Sequence, residues 1–276
     1  MFTGLALSPD GTRLAAVRDG PTGGNTDIWI YDTARGIPTR FTFSPRADVS
    51  PAWFPDGSTI YYISGNPGKL FRKAANGIAT EEIVPTGEGQ AASFPNVSPD
   101  GKWLLCSTLP IGGGAGDIWV LPLDAAAPQG NKVGPRALVH TPANQRLPMF
   151  SPDGRWVTYA SDESRQYEIY ATPFPGPGAK RQLSSGGGRN HAWRRDGKEL
   201  FYQSPTGQLK AVEIVARNGT LDIGSTHTLF EGLAAGITSV FAVTSDGQKF
   251  IVAENTTAEA ARPLTIVQNW TAALKK

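Results

Sequence analysis

The chain has 276 residues, with 26 Lys plus Arg against 24 Asp plus Glu, and this near balance offers no basic stripe on which nucleic acid could dock. Its single cysteine, Cys106, excludes an internal disulfide, and no run of 18 apolar residues is available to cross a membrane as a helix. Residues Met1–Ser8 lack a basic start followed by an apolar stretch, so the opening reads as a strand rather than a leader.

The first element is a hairpin. Leu7 stands three places before Asp10-Gly11, and Leu14 and Ala16 follow at a spacing of two, which marks one face of a strand. We name the strand before the bend A and the one after it B. A third, C, reads Asp27-Ile-Trp-Ile30, and a fourth, D, reads Thr39-Arg-Phe-Thr42. The second copy begins near residue 48, with Trp53, Asp56-Gly57, Ile60 and Tyr62, then Lys69–Phe71 and Glu82–Val84. The third begins near 91: Val97, Asp100-Gly101, Leu104 and Cys106 precede Asp117–Val120 and Arg136–Val139. The fourth, from about 146, has Phe150, Asp153-Gly154, Val157 and Tyr159, then Glu168–Tyr170 and Arg181–Leu183. The fifth, from about 190, has Trp193, Asp196-Gly197, Leu200 and Tyr202, then Gln208–Val212 and Thr228–Phe230. The sixth, from about 238, has Val243, Asp246-Gly247, Phe250, Val252 and Pro263–Val267, with no evident fourth strand.

The bend has a chemical rationale. Pro fixes φ near −65° at the second turn position, Asp suits the third, and Gly takes the left-handed conformation that closes a bulged hairpin. The turn aspartates Asp10, Asp56, Asp100, Asp153, Asp196 and Asp246 therefore read as structural. Their spacing lies between 43 residues (Asp153 to Asp196) and 53 residues (Asp100 to Asp153). A repeat of that length, built of four antiparallel strands without helical periodicity, predicts an all-β fold: a single six-bladed β-propeller over residues 1–276, its last blade without an evident fourth strand. The tail Asn269-Trp-Thr271, side-chain packing alone, or a longer parent chain could each complete the ring.

Signatures of catalysis are sparse. There is no Gly-x-Ser-x-Gly elbow and no His-Glu-x-x-His, and the three histidines (His140, His191 and His227) stand far apart. No cofactor or metal is expected. The Gly112–Gly116 cluster reads as a hairpin, because no helix follows to make it a phosphate loop. Cys106 shares the register of Tyr62, Tyr159 and Tyr202 and reads as a packed thiol. Asp27, Asp117 and Glu168, which open strand C, are expected to bond backbone of a neighbouring blade, with Trp29, Trp119 and Tyr170 packing between blades. The loops leading into strand A should line one mouth of the central channel. They carry Asp48, Glu88, Gln90, Asn144, Arg146, Arg189, Asn190 and His191, the candidate binding residues.

The motifs Trp53-Phe-Pro-Asp-Gly57, Ser98–Trp103 and Ser151–Trp156, followed by Asp-Ile-Trp or Glu-Ile-Tyr, resemble the WD-like repeats of TolB-type β-propellers. The second half, on Tyr167–Gly176, Trp193–Tyr202 and Asn269–Lys276, resembles the extracytoplasmic C-terminal propeller of membrane-anchored bacterial serine/threonine protein kinases. Kinase motifs themselves are absent. These resemblances imply a non-catalytic sensor or scaffold, periplasmic or otherwise extracytoplasmic and expected to be monomeric, that engages a protein or peptide at the face where strand A begins. The alternative is a metal-dependent hydrolase or lyase at the channel mouth, or the propeller of a truncated prolyl-oligopeptidase-like enzyme.

Overall fold

The computed structural model describes residues 2–20, 25–87, 90–111, 113–123, 134–176, 178–217, 219–233, 241–253 and 264–268. Each of the six bends closes with the same hydrogen bond, from the Gly11 amide to the Ser8 carbonyl and likewise Gly57 to Phe54, Gly101 to Ser98, Gly154 to Ser151, Gly197 to Arg194 and Gly247 to Thr244. All six glycines have φ between 70° and 74°, a region that a side chain would oppose. The aspartate pins the bend from beside it. Asp10 accepts from the Ser8 hydroxyl and the Thr12 amide, and Asp100 and Asp153 repeat both bonds with Ser98 and Lys102 and with Ser151 and Arg155. Asp56, Asp196 and Asp246 likewise accept the amide two residues on.

From these bends grow five four-stranded antiparallel sheets. The first holds β1 (Phe2–Leu7), β2 (Arg13–Asp19), β3 (Thr26–Asp32) and β4 (Pro38–Arg40). The second holds β5 (Asp48–Trp53), β6 (Thr59–Ser64), β7 (Lys69–Ala74) and β8 (Glu82–Ile83). The third holds β9 (Gln90–Val97), β10 (Trp103–Pro110), β11 (Asp117–Pro122) and β12 (Arg136–Val139). The fourth holds β13 (Gln145–Phe150), β14 (Trp156–Ser161), β15 (Glu168–Pro173) and β16 (Arg181–Gln182). The fifth holds β17 (Arg189–Trp193), β18 (Glu199–Gln203), β19 (Leu209–Arg217) and β20 (Thr220–Phe230).

The last repeat makes a three-stranded sheet of β21 (Phe241–Val243), β22 (Lys249–Ala253) and β23 (Leu264–Gln268). Among the described residues the chain thus forms five four-stranded blades rather than the six-bladed ring expected, the last blade of which has no evident fourth strand in the sequence. Each complete blade takes its outer strand from the segment after strand C. Here that segment, including Asn269-Trp-Thr271, lies outside the described residues.

The innermost strands β1, β5, β9, β13 and β17 meet in sequence, and β21 touches both β17 and β1. Apolar cores fill the seams between sheets. Ile28 meets Tyr62 and Phe71, Leu70 meets Leu104, Ile118 meets Tyr159, Ile169 meets Trp193, and Phe201 meets Phe250. The closing seam is smaller: Leu14 from β2 meets Ala242 and Ile251, with Leu5, Leu7 and Tyr31 beside them. Side-chain packing therefore joins last sheet to first. Cys106 lies fully buried in the seam with Leu70 and Leu104, and burial pushes its thiol up to about 12. No helix among the described residues is long and apolar enough to cross a membrane.

Candidate functional site

The six innermost strands enclose one cavity of about 400 Å³, to which each contributes lining residues. The local cause is a β-bulge repeated in strand A. Ser50, Phe94, Leu147 and Asn190 adopt φ of 54°, 51°, 56° and 41°, and at each the pairing with strand B slips. In three strands the bulged residue is followed by proline (Pro51, Pro95 and Pro148). Proline has no N–H to leave unpaired, so it suits a place where the ladder is interrupted. The resulting wall is largely apolar, with Leu5, Pro51, Pro95, Leu147, Ala192 and Phe241 among its residues.

Of the eight candidate residues, Arg146, Asn190 and His191 line this cavity. Asn190 is buried and donates from Nδ2 to Gln203 Oε1 at 2.9 Å. His191 is buried, with Nε2 3.0 Å from Thr158 Oγ1. The indole N–H of Trp193 donates to the same oxygen, while the Thr158 hydroxyl reaches the Met149 carbonyl. A carbonyl only accepts and an indole only donates, so all three contacts are satisfied together when His191 carries its proton on Nε2. Burial lowers its pKa to about 4, so this ring is neutral at neutral pH.

The other candidates are turned elsewhere. Asp48 is wholly buried at the head of β5, and neither carboxylate oxygen has a hydrogen-bond partner among the described residues. Desolvation raises its pKa above the usual carboxylate range; the Ser64 and Thr42 hydroxyls oppose the rise without reaching hydrogen-bond geometry, and the Glu81 and Asp27 charges add to it. Gln90 Oε1 is likewise buried and unpartnered. Asn144 is a bracket between blades: it donates from Nδ2 to Asp162 and from its amide to the same carboxylate, and it accepts the Gly116 amide. Glu88 lies outside the described residues.

Arg189 opens β17 and meets Arg146 at a residue that the sequence reading did not select as a site. The Arg146 guanidinium carbon stands 5.5 Å from the centre of the Tyr167 ring, and that of Arg189 stands 5.2 Å from it. Tyr167 belongs to the loop between β14 and β15, and its carbonyl accepts the Gly188 amide at 2.7 Å, which ties that loop to the start of β17. Among the acids opening strand C, Asp27 pairs with Arg40 at 2.7 Å, and Asp117 pairs with His140 at 2.8 Å. Glu168 accepts from Gln166, the Ser184 hydroxyl and the Gly187 amide. Only Glu168 therefore reaches backbone leading into the next blade. Among the described residues no group of three His, Cys, Asp or Glu side chains converges as a metal site.

No protein-family model matches the chain. It is 27% identical over 207 residues to the "Uncharacterized peptidase YuxL" of Bacillus subtilis (strain 168), a match covering 59% of this chain and 31% of that protein. It is also 27% identical over 175 residues to the "Uncharacterized protein Atu1656" of Agrobacterium fabrum (strain C58 / ATCC 33970), covering 60% of this chain and 54% of the relative. The chain thus spans under a third of the first relative and about half of the second. Among solved structures, TolB from Acinetobacter baumannii superposes with a TM-score of 0.71 at 21% identity, over 94% of this chain and 61% of that one. The fold is accordingly a TolB-like β-propeller.

Proposed function

We propose that the chain is a single non-catalytic propeller domain that holds a protein or peptide at the channel end where strand A begins. The observation that carries this reading is the cavity itself. Its wall is largely apolar, all six inner strands contribute to it, and a few polar side chains are among its lining residues, which is the composition of a binding pocket. Its volume, about 400 Å³, lies in the range such pockets occupy. The bulges interrupt the pairing of strand A with strand B at the wall, which suits the approach of a peptide main chain. On this reading, and by its resemblance to kinase-linked propellers, the chain serves as the sensing part of an extracytoplasmic assembly.

The match to a protein named as a peptidase favours one second reading, in which the same channel is the non-catalytic part of a larger hydrolase. Both readings require the channel to accept peptide. The test is binding of a fluorescent apolar peptide library to the wild type and to Ala192→Trp, which fills the cavity from β17. Affinity should fall at least tenfold while the melting temperature holds. Equal affinity in the filled variant would sink the channel as the binding site.

A further inference from the structure

We infer that Arg146, Arg189 and Tyr167 form a clamp for a single carboxylate carried by a peptide that enters the channel, an inference resting on the peptide reading above. Arg146 is the second residue of β13 and Arg189 the first of β17, so corresponding ends of consecutive inner strands supply the two cations. Both guanidinium groups lie against one half-buried tyrosine ring, at 5.5 and 5.2 Å. The two cations are therefore no farther apart than those distances laid end to end. Two like charges gathered there repel each other, and the ring quadrupole offsets only part of that repulsion.

Neither arginine makes an ion pair or hydrogen bond with a described residue, although each presents five N–H donors. The acids that flank Tyr167 in the chain have partners of their own. Asp162 is held by Asn144, Glu163 by Lys180 at 2.5 Å, and Glu168 by Gln166, Ser184 and Gly187. The neighbouring His191 is neutral at neutral pH. A half-buried pair of donor-rich cations that has no ion partner among the described residues is therefore suited to an external anion, and planar guanidinium forks fit a carboxylate in bidentate fashion. The carrier follows from the wall beside it. Arg146 is itself a lining residue, and beyond it lie Leu147, Pro148, Ala192 and Phe241. A short apolar peptide ending in, or bearing, one carboxylate satisfies both surfaces. A polyuronate would carry a charge on every sugar into a proline-lined cavity where Arg146 is the one Lys or Arg among the described lining residues.

Three hexapeptides of Ala, Leu, Pro and Val decide the matter by fluorescence polarisation: one with a free C-terminus, one amidated, and one amidated with an internal Glu. At least one acidic peptide should bind tenfold or more tighter than the acid-free peptide, and whichever does so identifies the carboxylate as terminal or side-chain. Arg146→Gln and Arg189→Gln should each erase that advantage, so that each variant binds the acidic and acid-free peptides equally, with the melting temperature unchanged. Equal binding of all three peptides would overturn the clamp yet leave the channel reading intact.

An acetate titration followed at the assigned arginine Nε–H resonances provides the independent arm. Acetate shifts at Arg146 and Arg189 without peptide binding would uphold the carboxylate site and sink the peptide reading instead. No acetate shift, together with unaltered peptide binding in both Gln variants, would end the inference. Displacement of the acidic peptide by an oligouronate at lower concentration than by unlabelled peptide would overturn the choice of carrier.

Discussion

Replacing Asp48 with asparagine should stabilise this protein at neutral pH. The side chain is 0% exposed, and neither of its oxygens has a hydrogen-bond partner among the described residues. Removing water from a charged group without replacing its hydrogen bonds costs about 1–3 kcal/mol or more. The Glu81 and Asp27 charges add to the burden, although Arg40 pairs with Asp27. Asparagine keeps the shape, removes the charge, and can donate towards the Ser64 or Thr42 hydroxyl. A gain of that size corresponds to a melting temperature higher by roughly 5 °C.

The pH dependence fixes the cause. The folded pKa lies above the ordinary value of 3.8, so between the two the folded state binds more protons than the unfolded one. Stability from this group therefore falls as pH rises through that window, and the full penalty stands above the folded pKa. Thermal melts of wild type and Asp48→Asn from pH 3 to 8 should show an advantage for the variant at pH 7 that shrinks to nothing below about 3.8. A variant less stable than wild type at pH 7 would refute the reasoning, because it would mean that the carboxylate is bonded after all.

Cys106, fully buried and with its thiol pushed up to about 12, should resist a thiol reagent at pH 8 in the folded protein and react at once in denaturant; rapid labelling of the native chain would contradict its placement. Leu14→Ala opens the small closing seam and should cost about 2–5 kcal/mol, read from urea unfolding, whereas a loss under 1 kcal/mol would mean that this seam does not hold the ring. Asp153→Ala removes bonds from the Ser151 hydroxyl and the Arg155 amide and should cost about 1–2 kcal/mol at pH 7, again by urea unfolding. In Asp10 the equivalent bonds hold the pKa at about 2, so its contribution is present above 3.8 and is lost as pH falls towards 2. Asp10→Asn should accordingly flatten the acid limb of a stability profile, and an unchanged limb would sink that assignment.

The fold was legible because its determinants are local. Six copies of one bend, with glycine held near φ 70° and apolar residues four and six places beyond the aspartate, appear directly in the order of residues. Strand positions followed closely: Asp27–Ile30 falls within β3, Glu168–Tyr170 within β15, and the expected Gln208–Val212 overlaps β19. The number of complete blades was less legible. A fourth strand in the last sheet depends on which segment returns to pair with β23, a long-range choice that carries no turn signature.

The candidate site was read less well, and strand A shows why. Residues in a strand alternate between faces, but a bulge inserts one residue and reverses the alternation beyond it. Asp48 precedes the bulge at Ser50 and Gln90 precedes the one at Phe94, so proximity to the channel in sequence put neither side chain in its wall. The signal was nonetheless present. Pro51, Pro95 and Pro148 each stand five places before a turn aspartate, and an alignment on the bends would have placed an interruption there. Tyr167 carries no such mark. It is brought to Arg146 and Arg189 because its loop is tied to Gly188 at the start of the next inner strand. A propeller joins its blades at just such points, so a residue between strands B and C of one blade answers to strand A of the next. Site chemistry in this architecture is therefore shared between neighbouring copies of the repeat, and it becomes readable only after the ring has been closed.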